Sequence, residues 1–167
     1  MTSAPSGAKT LSNLFQLRRV AREIFEGALH AVDAETAVRH AVRIDGSGLS
    51  VCEASFELSV GSQVYSIAIG KAALPMAVAL EDILGERLFE GVIAAPSMNA
   101  SGQKLSNRWQ CFEGGHPLPN EGSLAAAEAA FASLDRANHE RALVVFLISG
   151  GGSAMLEAPV SPDISLE

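Results

Sequence analysis

The sequence is poor in aromatic residues, which form 5% of its 167 residues, and it contains only two cysteines, Cys52 and Cys111. Two cysteines without metal-ligand spacing exclude a small disulfide-rich fold, and we expect both to be buried thiols in a reducing cytosol. No apolar run approaches the roughly 18 residues that a membrane-spanning helix needs. Residues 1–10 lack the hydrophobic segment of a signal peptide, so we expect a disordered lead-in there and a cytoplasmic protein.

Basic residues are also scarce, since 12 Lys and Arg stand against 19 Asp and Glu and the formal net charge is −7. This balance argues against a general nucleic-acid-binding or membrane-binding surface. It leaves room for a local phosphate site, because backbone N–H groups bind anions without any net charge. The histidines and cysteines show no metal-ligand spacing, so they predict no metal site.

Small residues are abundant in loops that follow apolar runs. The clearest case is the segment LVVFLISGGGSA, in which Leu143–Ile148 lead into three glycines between Ser149 and Ser153. A short apolar run that ends in a turn signal predicts a strand buried on both faces. A Gly/Ser loop at the carboxyl end of such a strand is typical of anion binding in α/β sheets. The alternative is a tight turn, although a turn usually needs only one or two glycines with positive φ.

Hydrophobic periodicity predicts an alternation of strands and helices along most of the chain. Strands are expected at residues 64–69, 91–95, 109–112 and 143–148, with a weaker candidate within 49–58. Helices are expected at residues 11–31, 34–42, 71–84 and after Asn120 or Ser123, where Leu124, Ala127, Phe131 and Leu134 would face inward. Residues 135–141 would be a polar connection. This order indicates an α/β fold whose mainly parallel sheet is covered by helices on both faces.

Three of the predicted strands end in small-residue loops, which are Gly70-Lys71-Ala72, Gly114-Gly115-His116-Pro117 and Ser149-Gly150-Gly151-Gly152-Ser153. Because the carboxyl ends of parallel strands share one edge of the sheet, we expect the three loops to meet there. Lys71 would bring a mobile cation to a phosphoryl group, or it is an exposed lysine beside a turn glycine. His116 would contact a ligand or transfer protons, or it stabilises its own loop.

Four segments, in this order and spacing, resemble the amino-terminal domain of the class II glycerate kinases, the MOFRL-type family. They are AREIFEGALHAVDAETAVRHAV, IAIGKAALPMA, EGGHPLPNEGSLAAAEAA and VVFLISGGGSAMLEAPV. The resemblance covers nearly all of residues 17–167, and GGHPLPN followed by SGGGSA is its most distinctive pair. It implies a Rossmann-like domain joined to a smaller carboxyl-terminal MOFRL domain, with the site in the cleft between them.

The resemblance also implies an ATP- and Mg²⁺-dependent kinase that phosphorylates D-glycerate, usually at the 2-hydroxyl. By motif, Lys71 becomes a candidate for neutralising the transferring phosphoryl group. Gly70, Gly114 to Pro117 and Ser149 to Ser153 would line the substrate and nucleotide cleft. A homodimer is a further expectation.

The last residues, Ser165-Leu166-Glu167, look like the start of a helix. We therefore expect a truncated chain, incomplete at its carboxyl end, in which residues 11–167 form part of the first domain. The MOFRL domain would be missing, together with an acidic residue and an arginine that the family is expected to use. Two alternatives stay open. One is a hydroxypyruvate-reductase-type oxidoreductase, which the absence of a G-x-G-x-x-G fingerprint disfavours, and the other is a non-catalytic fragment that binds a nucleotide or an acid.

Overall fold

The computed structural model describes residues 6–59, 61–98, 105–161 and 163–166. The chain forms two compact units, residues 1–33 and residues 34–167. The first unit is built on one helix, α1 (Ser6–Ala31). The helix includes residues 6–10 of the segment where the sequence predicts a disordered lead-in, and Ser6–Thr10 contains no proline and includes good helix formers such as Ala8 and Lys9. Residues 1–5 of that prediction lie outside the described residues.

The second unit begins with a helix and a small antiparallel sheet. Helix α2 (Ala34–Ala41) is followed by β1 (Val42–Asp45), β2 (Gly48–Val51) and β3 (Ala54–Glu57), which pair in the order β1-β2-β3. The region that was expected to hold one weak strand thus holds two. Leu49 on β2 is fully buried and joins the main hydrophobic core of the unit.

A four-stranded parallel sheet forms the centre of the second unit. Its strands are β4 (Val64–Ile69), β5 (Leu88–Ala95), β6 (Trp109–Glu113) and β7 (Leu143–Ile148), in the order β6-β5-β4-β7. All three neighbouring pairs are parallel. The predicted α/β fold with a mainly parallel sheet is therefore confirmed, and the four predicted strands are present.

Two long helices cover opposite faces of this sheet. Helix α3 (Ala73–Leu84) packs with Ala68 and Ile93, whereas α4 (Glu121–Glu140) packs over the alternate residues Ile67 and Val92. Because successive strand residues point to opposite faces, these two clusters lie on the two sides of the sheet. A third short helix, α5 (Gly152–Met155), follows β7. Within the described part of the chain, no helix is long and apolar enough to cross a membrane.

The inward face of α4 differs from the predicted one. Small residues are buried, among them Ala126, Ala130 and Ala137, whereas Phe131 is 60% exposed. The helix also continues to Glu140 through the segment expected to be a polar connection. Small side chains let a helix approach a sheet closely, so hydrophobicity alone placed Phe131 on the wrong side, whereas Ala127 is buried and Leu134 packs against the core as predicted.

Strand β7 is not buried on both faces, which corrects the prediction for this segment. Val145 and Leu147 are buried, but Phe146 is 51% exposed and Ile148 is 70% exposed. The reason is topological, since β7 is an outer strand and pairs only with β4 among the described residues. The all-apolar sequence of β7 is typical of a strand inside a sheet, but it does not show that the face carrying Phe146 and Ile148 is exposed.

Both cysteines are exposed, so the prediction of buried thiols is wrong. Cys52 lies in the short turn between β2 and β3 with a φ of +52°. Cys111 lies on β6, the other outer strand of the parallel sheet. Turn and edge positions expose a side chain whatever the hydropathy of its sequence neighbours.

Candidate functional site

Three loops meet at the carboxyl edge of the parallel sheet. We call them the lysine loop (Gly70–Ala72, after β4), the histidine loop (Gly114–Pro117, after β6) and the glycine loop (Ser149–Ser153, after β7). Strands β4 and β7 are neighbours, but β6 lies at the opposite side of the sheet. The segment after β7 crosses the ends of β4 and β5, because Gly152 lies against Ile69 and Met155 packs on Ala94 and on Gly114, the first residue after β6.

Backbone hydrogen bonds join the lysine loop to the glycine loop. The Ser149 N–H donates to the Ile69 carbonyl at 2.9 Å, and the Lys71 N–H donates to the Gly150 carbonyl at 3.0 Å. The Ser149 hydroxyl accepts a bond from the Ala72 N–H at 3.0 Å and lies 3.2 Å from the Ile69 carbonyl, to which it donates. Both hydrogen-bonding functions of this hydroxyl are thus engaged within the protein, so Ser149 holds two loops together.

A glycine is required where these two loops approach. Gly70 has a φ of +108°, and a Cβ atom on it would lie 2.5 Å from the carbonyl oxygen of Ser149. No side chain fits at that distance, and the backbone conformation itself is strained for an L-residue. In the Gly-Lys sequence after β4, Gly70 therefore allows the close contact with Ser149, and Lys71 supplies the cation.

The glycine loop touches the histidine loop at Gly151. This residue has a φ of +86°, and a Cβ atom on it would lie 2.7 Å from Cδ2 of His116. The buried side chain of Met155 lies on the same side, 3.2 Å from that Cβ position. Gly150 differs, because a Cβ atom there would meet no atom within 4 Å. Of these two glycines, only Gly151 is required by the packing of the imidazole.

The histidine loop is anchored from below by the start of α4. The Gly114 N–H donates to the Ala95 carbonyl at 2.9 Å, and the Gly115 N–H donates to the Ser123 hydroxyl at 2.9 Å. Asn120 caps α4 in a reciprocal arrangement with Ser123. The His116–Pro117 peptide bond is cis. Sequence reasoning treated Ser123 only as a possible helix cap and missed its contact with the loop.

The side chains at this edge are open to solvent. Lys71, His116, Pro117 and Ser153 are exposed, and Gly152 is the first residue of α5. Lys71 forms no ion pair with any residue in the described ranges. A free ammonium group, an imidazole and a glycine-rich backbone are thus gathered in one place, and this combination suits an anionic ligand such as a phosphate or a carboxylate.

The other end of the sheet carries charges that are already paired. The hydroxyl of the fully buried Tyr65 donates to Oε2 of Glu140 at 2.8 Å, and Arg136 forms an ion pair with Glu90. Burial, reinforced by the hydrogen bond to Glu140, raises the pKa of Tyr65 from 10.0 to about 12. A cavity of about 640 Å³ lies at this same end, between Ser62, Glu140 and Leu143, and it is remote from the three loops.

Metal-ligating residues are not gathered at the three loops. Among the residues that the structure describes, no group of three or more His, Cys, Asp or Glu could hold a metal ion. The loops offer Lys71, His116, serine hydroxyls and backbone groups, and this donor set does not suit Mg²⁺, which prefers carboxylate, phosphate and water oxygens. The residues present therefore do not form a protein-held magnesium site.

The parallel sheet, with helices on both faces, defines the class of protein as an α/β domain. The family described as "Domain of unknown function (DUF4147)" matches residues 20–167, and the chain belongs to this family.

Named relatives sharpen this assignment. The chain is 40% identical over 151 residues to the glycerate 2-kinase of Pyrococcus horikoshii, with 90% of this chain and 32% of the relative covered. A crystal structure of a P. horikoshii protein superposes with a TM-score of 0.73 at 38% identity, and that of the Thermotoga maritima glycerate kinase with 0.65 at 27%. Each structural match covers 90% of this chain and 32% of the other. The resemblance to glycerate kinases is confirmed, and the chain spans about a third of the length of these relatives.

Proposed function

We propose that this chain is the part of a glycerate 2-kinase that supplies one wall of its active site. The observation that carries the proposal is the contact of the three loops at one edge of the sheet. It gathers Lys71, His116 and the glycine loop into a single open surface. Two relatives are named glycerate 2-kinase and D-glycerate 2-kinase, and the reaction in this proposal is phosphoryl transfer from ATP to the 2-hydroxyl of D-glycerate.

Each loop has a part in this proposal. Lys71 neutralises the charge on the phosphoryl group while its bond to ADP breaks and its bond to the glycerate oxygen forms. Gly150, Gly151, Gly152 and Ser153 line the phosphate path, and His116 with Gly114, Gly115 and Pro117 lines the neighbouring acceptor side. Ser149 and Gly70 act by holding the lysine loop against the glycine loop.

In this proposal, the metal ion and the opposite wall of the cleft are not supplied by the residues of this chain. Mg²⁺ accompanies ATP, since this ion commonly binds through substrate phosphates and one or two carboxylates. The opposite wall of the cleft belongs to polypeptide that corresponds to the other two thirds of the relatives. A Rossmann-like first domain, a cytoplasmic location and a homodimer also remain parts of the proposal.

The test joins this chain to the part that the relatives have in addition. Residues 17–167 replace the matching segment of the P. horikoshii glycerate 2-kinase, and ADP release is measured with D-glycerate and Mg·ATP. We expect ADP release that depends on D-glycerate. Unchanged Mg·ATP in the presence of a folded hybrid would contradict the kinase proposal. Oxidation of NADH with hydroxypyruvate would favour a reductase instead.

Binding by the chain alone is a second test. We expect residues 1–167 to bind Mg·ATP, with changes in the amide resonances of Gly150 and Gly151 and no change in those of β1–β3. Binding without turnover by both the chain and the hybrid would favour the non-catalytic alternative.

A further inference from the structure

The histidine loop and the glycine loop touch although they arise from opposite sides of the sheet. Gly151 lies against His116, yet no backbone hydrogen bond joins residues 114–117 to residues 149–154 in the described part of the chain. The lysine and glycine loops, by contrast, share direct backbone bonds. These two segments meet by packing, with Gly114 against Met155 and Gly151 against His116, so any hydrogen bonds that fix them relative to one another come from a third element.

Ser123 is the group that connects them. Its side chain is fully buried, and its Oγ accepts hydrogen bonds from the Gly115 N–H at 2.9 Å and from the Asn120 N–H at 3.1 Å. The same hydroxyl has two acceptors within reach of its one proton, the Ala154 carbonyl at 2.7 Å and Asn120 Oδ1 at 3.1 Å, and it donates to the nearer one, Ala154. A hydroxyl has one proton and two lone pairs, so these three bonds use all of its capacity. One atom thus binds the histidine loop on one side and the residue after the glycine loop on the other.

The backbone of Ser123 adds a further link. Its carbonyl accepts a hydrogen bond from the Glu157 N–H at 3.2 Å. Ala154 within α5 and Glu157 beyond its end are therefore both attached to the first turn of α4. The chain that leaves the glycine loop is held by the same residue that holds Gly115.

Ser133 shows that burial alone does not explain these bonds. It lies on the same helix and is equally buried, but its hydroxyl has no hydrogen-bond partner among the described residues. A serine can serve at either position as a small residue that lets the helix approach the sheet. Only Ser123 has its hydroxyl engaged by two loops, so Ser133 provides a matched control.

We propose that Ser123 is a positioning residue that fixes the histidine loop against the glycine loop and thereby sets the place of His116 at the ligand edge. Its consequence for ligand binding rests on the proposed kinase function, whereas its effect on the loops does not. Loss of the hydroxyl leaves the Gly115 N–H and the Ala154 carbonyl without their partner, and the loops separate or rearrange to find other partners.

The test compares Ser123→Ala with Ser133→Ala in residues 1–167. We expect the Gly115 amide to exchange with solvent at least about 10-fold faster in Ser123→Ala, because it has lost its acceptor. We also expect the close contact between the His116 ring and Gly151, read from nuclear Overhauser effects, to weaken. Ser133→Ala leaves both signals unchanged. A Ser123→Ala protein with wild-type Gly115 exchange and an intact His116–Gly151 contact would overturn the proposal.

The wild-type protein provides a measurement that needs no variant. Its Gly115 amide exchanges slowly with solvent if Ser123 holds it, and exchange at the rate of an unprotected glycine would overturn the proposal even if Ser123→Ala fails to fold.

Titration with Mg·ATP distinguishes the positioning role of Ser123 from the proposed kinase function. Binding at least about 10-fold weaker in Ser123→Ala than in Ser133→Ala supports the role at the site, consistent with the sensitivity of such sites to small displacements. A wild-type chain that binds no Mg·ATP contradicts the proposed function, while the loop measurements still decide the role of Ser123.

Discussion

The two ends of the parallel sheet are held by different kinds of contact. At the carboxyl end, small residues and backbone groups make the contacts, as in the bonds of Ser149 to Ile69 and of Ser123 to Gly115. At the amino end, long side chains pair with one another, as in Tyr65 with Glu140 and Arg136 with Glu90. The arrangement at the carboxyl end leaves Lys71 without an ion pair among the described residues, whereas at the amino end Arg136 and Glu140 are already bonded to protein partners.

The difference explains where a ligand can bind. A charged group that already has a protein partner gains little from a ligand, because the existing bond must first be broken. At the carboxyl end the bonds between the loops are made by backbone groups and serine hydroxyls, which carry no net charge, and the Glu113 carboxylate accepts from the Met98 N–H, so Lys71 and His116 stay available. The large cavity at the amino end is therefore a weaker candidate than the open edge with its three loops, despite its volume of about 640 Å³.

The largest expected effect separates the cations at the two ends. In the hybrid kinase, Lys71→Ala should lower kcat by about 100-fold or more, because the transferring phosphoryl group loses its neutralising charge. Arg136→Ala removes a cation of the amino end, breaks its ion pair with Glu90 and should leave kcat unchanged. Equal losses of steady-state ADP release in Lys71→Ala and Arg136→Ala would contradict the proposal that only the cation at the carboxyl end takes part in the reaction.

The next effect concerns the backbone at the carboxyl end. Gly151→Ala should destabilise the chain by about 2 kcal/mol, since it forces a side chain into a positive-φ conformation and against His116. Gly150→Ala in the same loop should change stability by less than about 0.5 kcal/mol, because open space surrounds that position. Urea unfolding of both variants measures the difference. Similar losses at the two glycines would show that the contact with His116 is not what constrains the loop.

A smaller effect is expected at the amino end from Tyr65. Tyr65→Phe should cost about 1.5 kcal/mol near neutral pH, because the hydrogen bond to the Glu140 carboxylate is lost. The pKa of Tyr65 is raised to about 12 from 10.0, so its stabilising contribution is complete below pH 10 and is lost as the pH rises towards 12.

Stability curves of Tyr65→Phe and of the wild type should therefore converge over that pH range. Tyr65 is the only tyrosine of the chain, so tyrosinate absorbance reports its ionisation directly. Ionisation near the ordinary value of 10.0 would contradict the buried, bonded hydroxyl.

The smallest effect tests the cap of α4. Asn120→Ala should destabilise the chain by about 1 kcal/mol, because the Ser123 N–H loses its side-chain acceptor at 2.9 Å. Asn120→Asp retains an acceptor and should recover most of that loss. Thermal unfolding of the pair measures it, and an Asn120→Asp protein as unstable as Asn120→Ala would mean that the cap does not hold the start of this helix.

Much of the fold could be predicted because strong local patterns coincide with the final structure. Val64–Ile69 and Leu143–Ile148 are strands at their predicted bounds. Helix α3 has Pro75 in its first turn, but it begins at Ala73, two residues later than predicted. The three small-residue loops were expected at one edge because the sheet is parallel, and their mutual contacts agree with that expectation. The roles of their individual residues at a ligand site stay predictions.

Other features depend on distant contacts that no local pattern carries. Of the antiparallel sheet only one weak strand was predicted, because its strands are four residues long and one of its turns places Cys52, rather than a glycine, at positive φ. The uncovered face of β7 follows from its outer place in the strand order. Ser123 was read as a local cap, since its bond to Ala154 spans 31 residues and cannot be inferred from neighbouring sequence.

The parallel pairing of β4 with both β5 and β7 joins segments at very different separations along the chain. Strand β5 follows β4 after one helix, whereas the Ser66 hydroxyl on β4 bonds the Val145 carbonyl on β7, 79 residues later. Closing the longer segment costs more chain entropy, and non-local parallel pairings form slowly. During synthesis from the amino terminus, β4, α3 and β5 can associate before β7 has left the ribosome. Of the three loops the glycine loop is the last to be synthesised, so the contacts among them form only after the central strands and α3 are available.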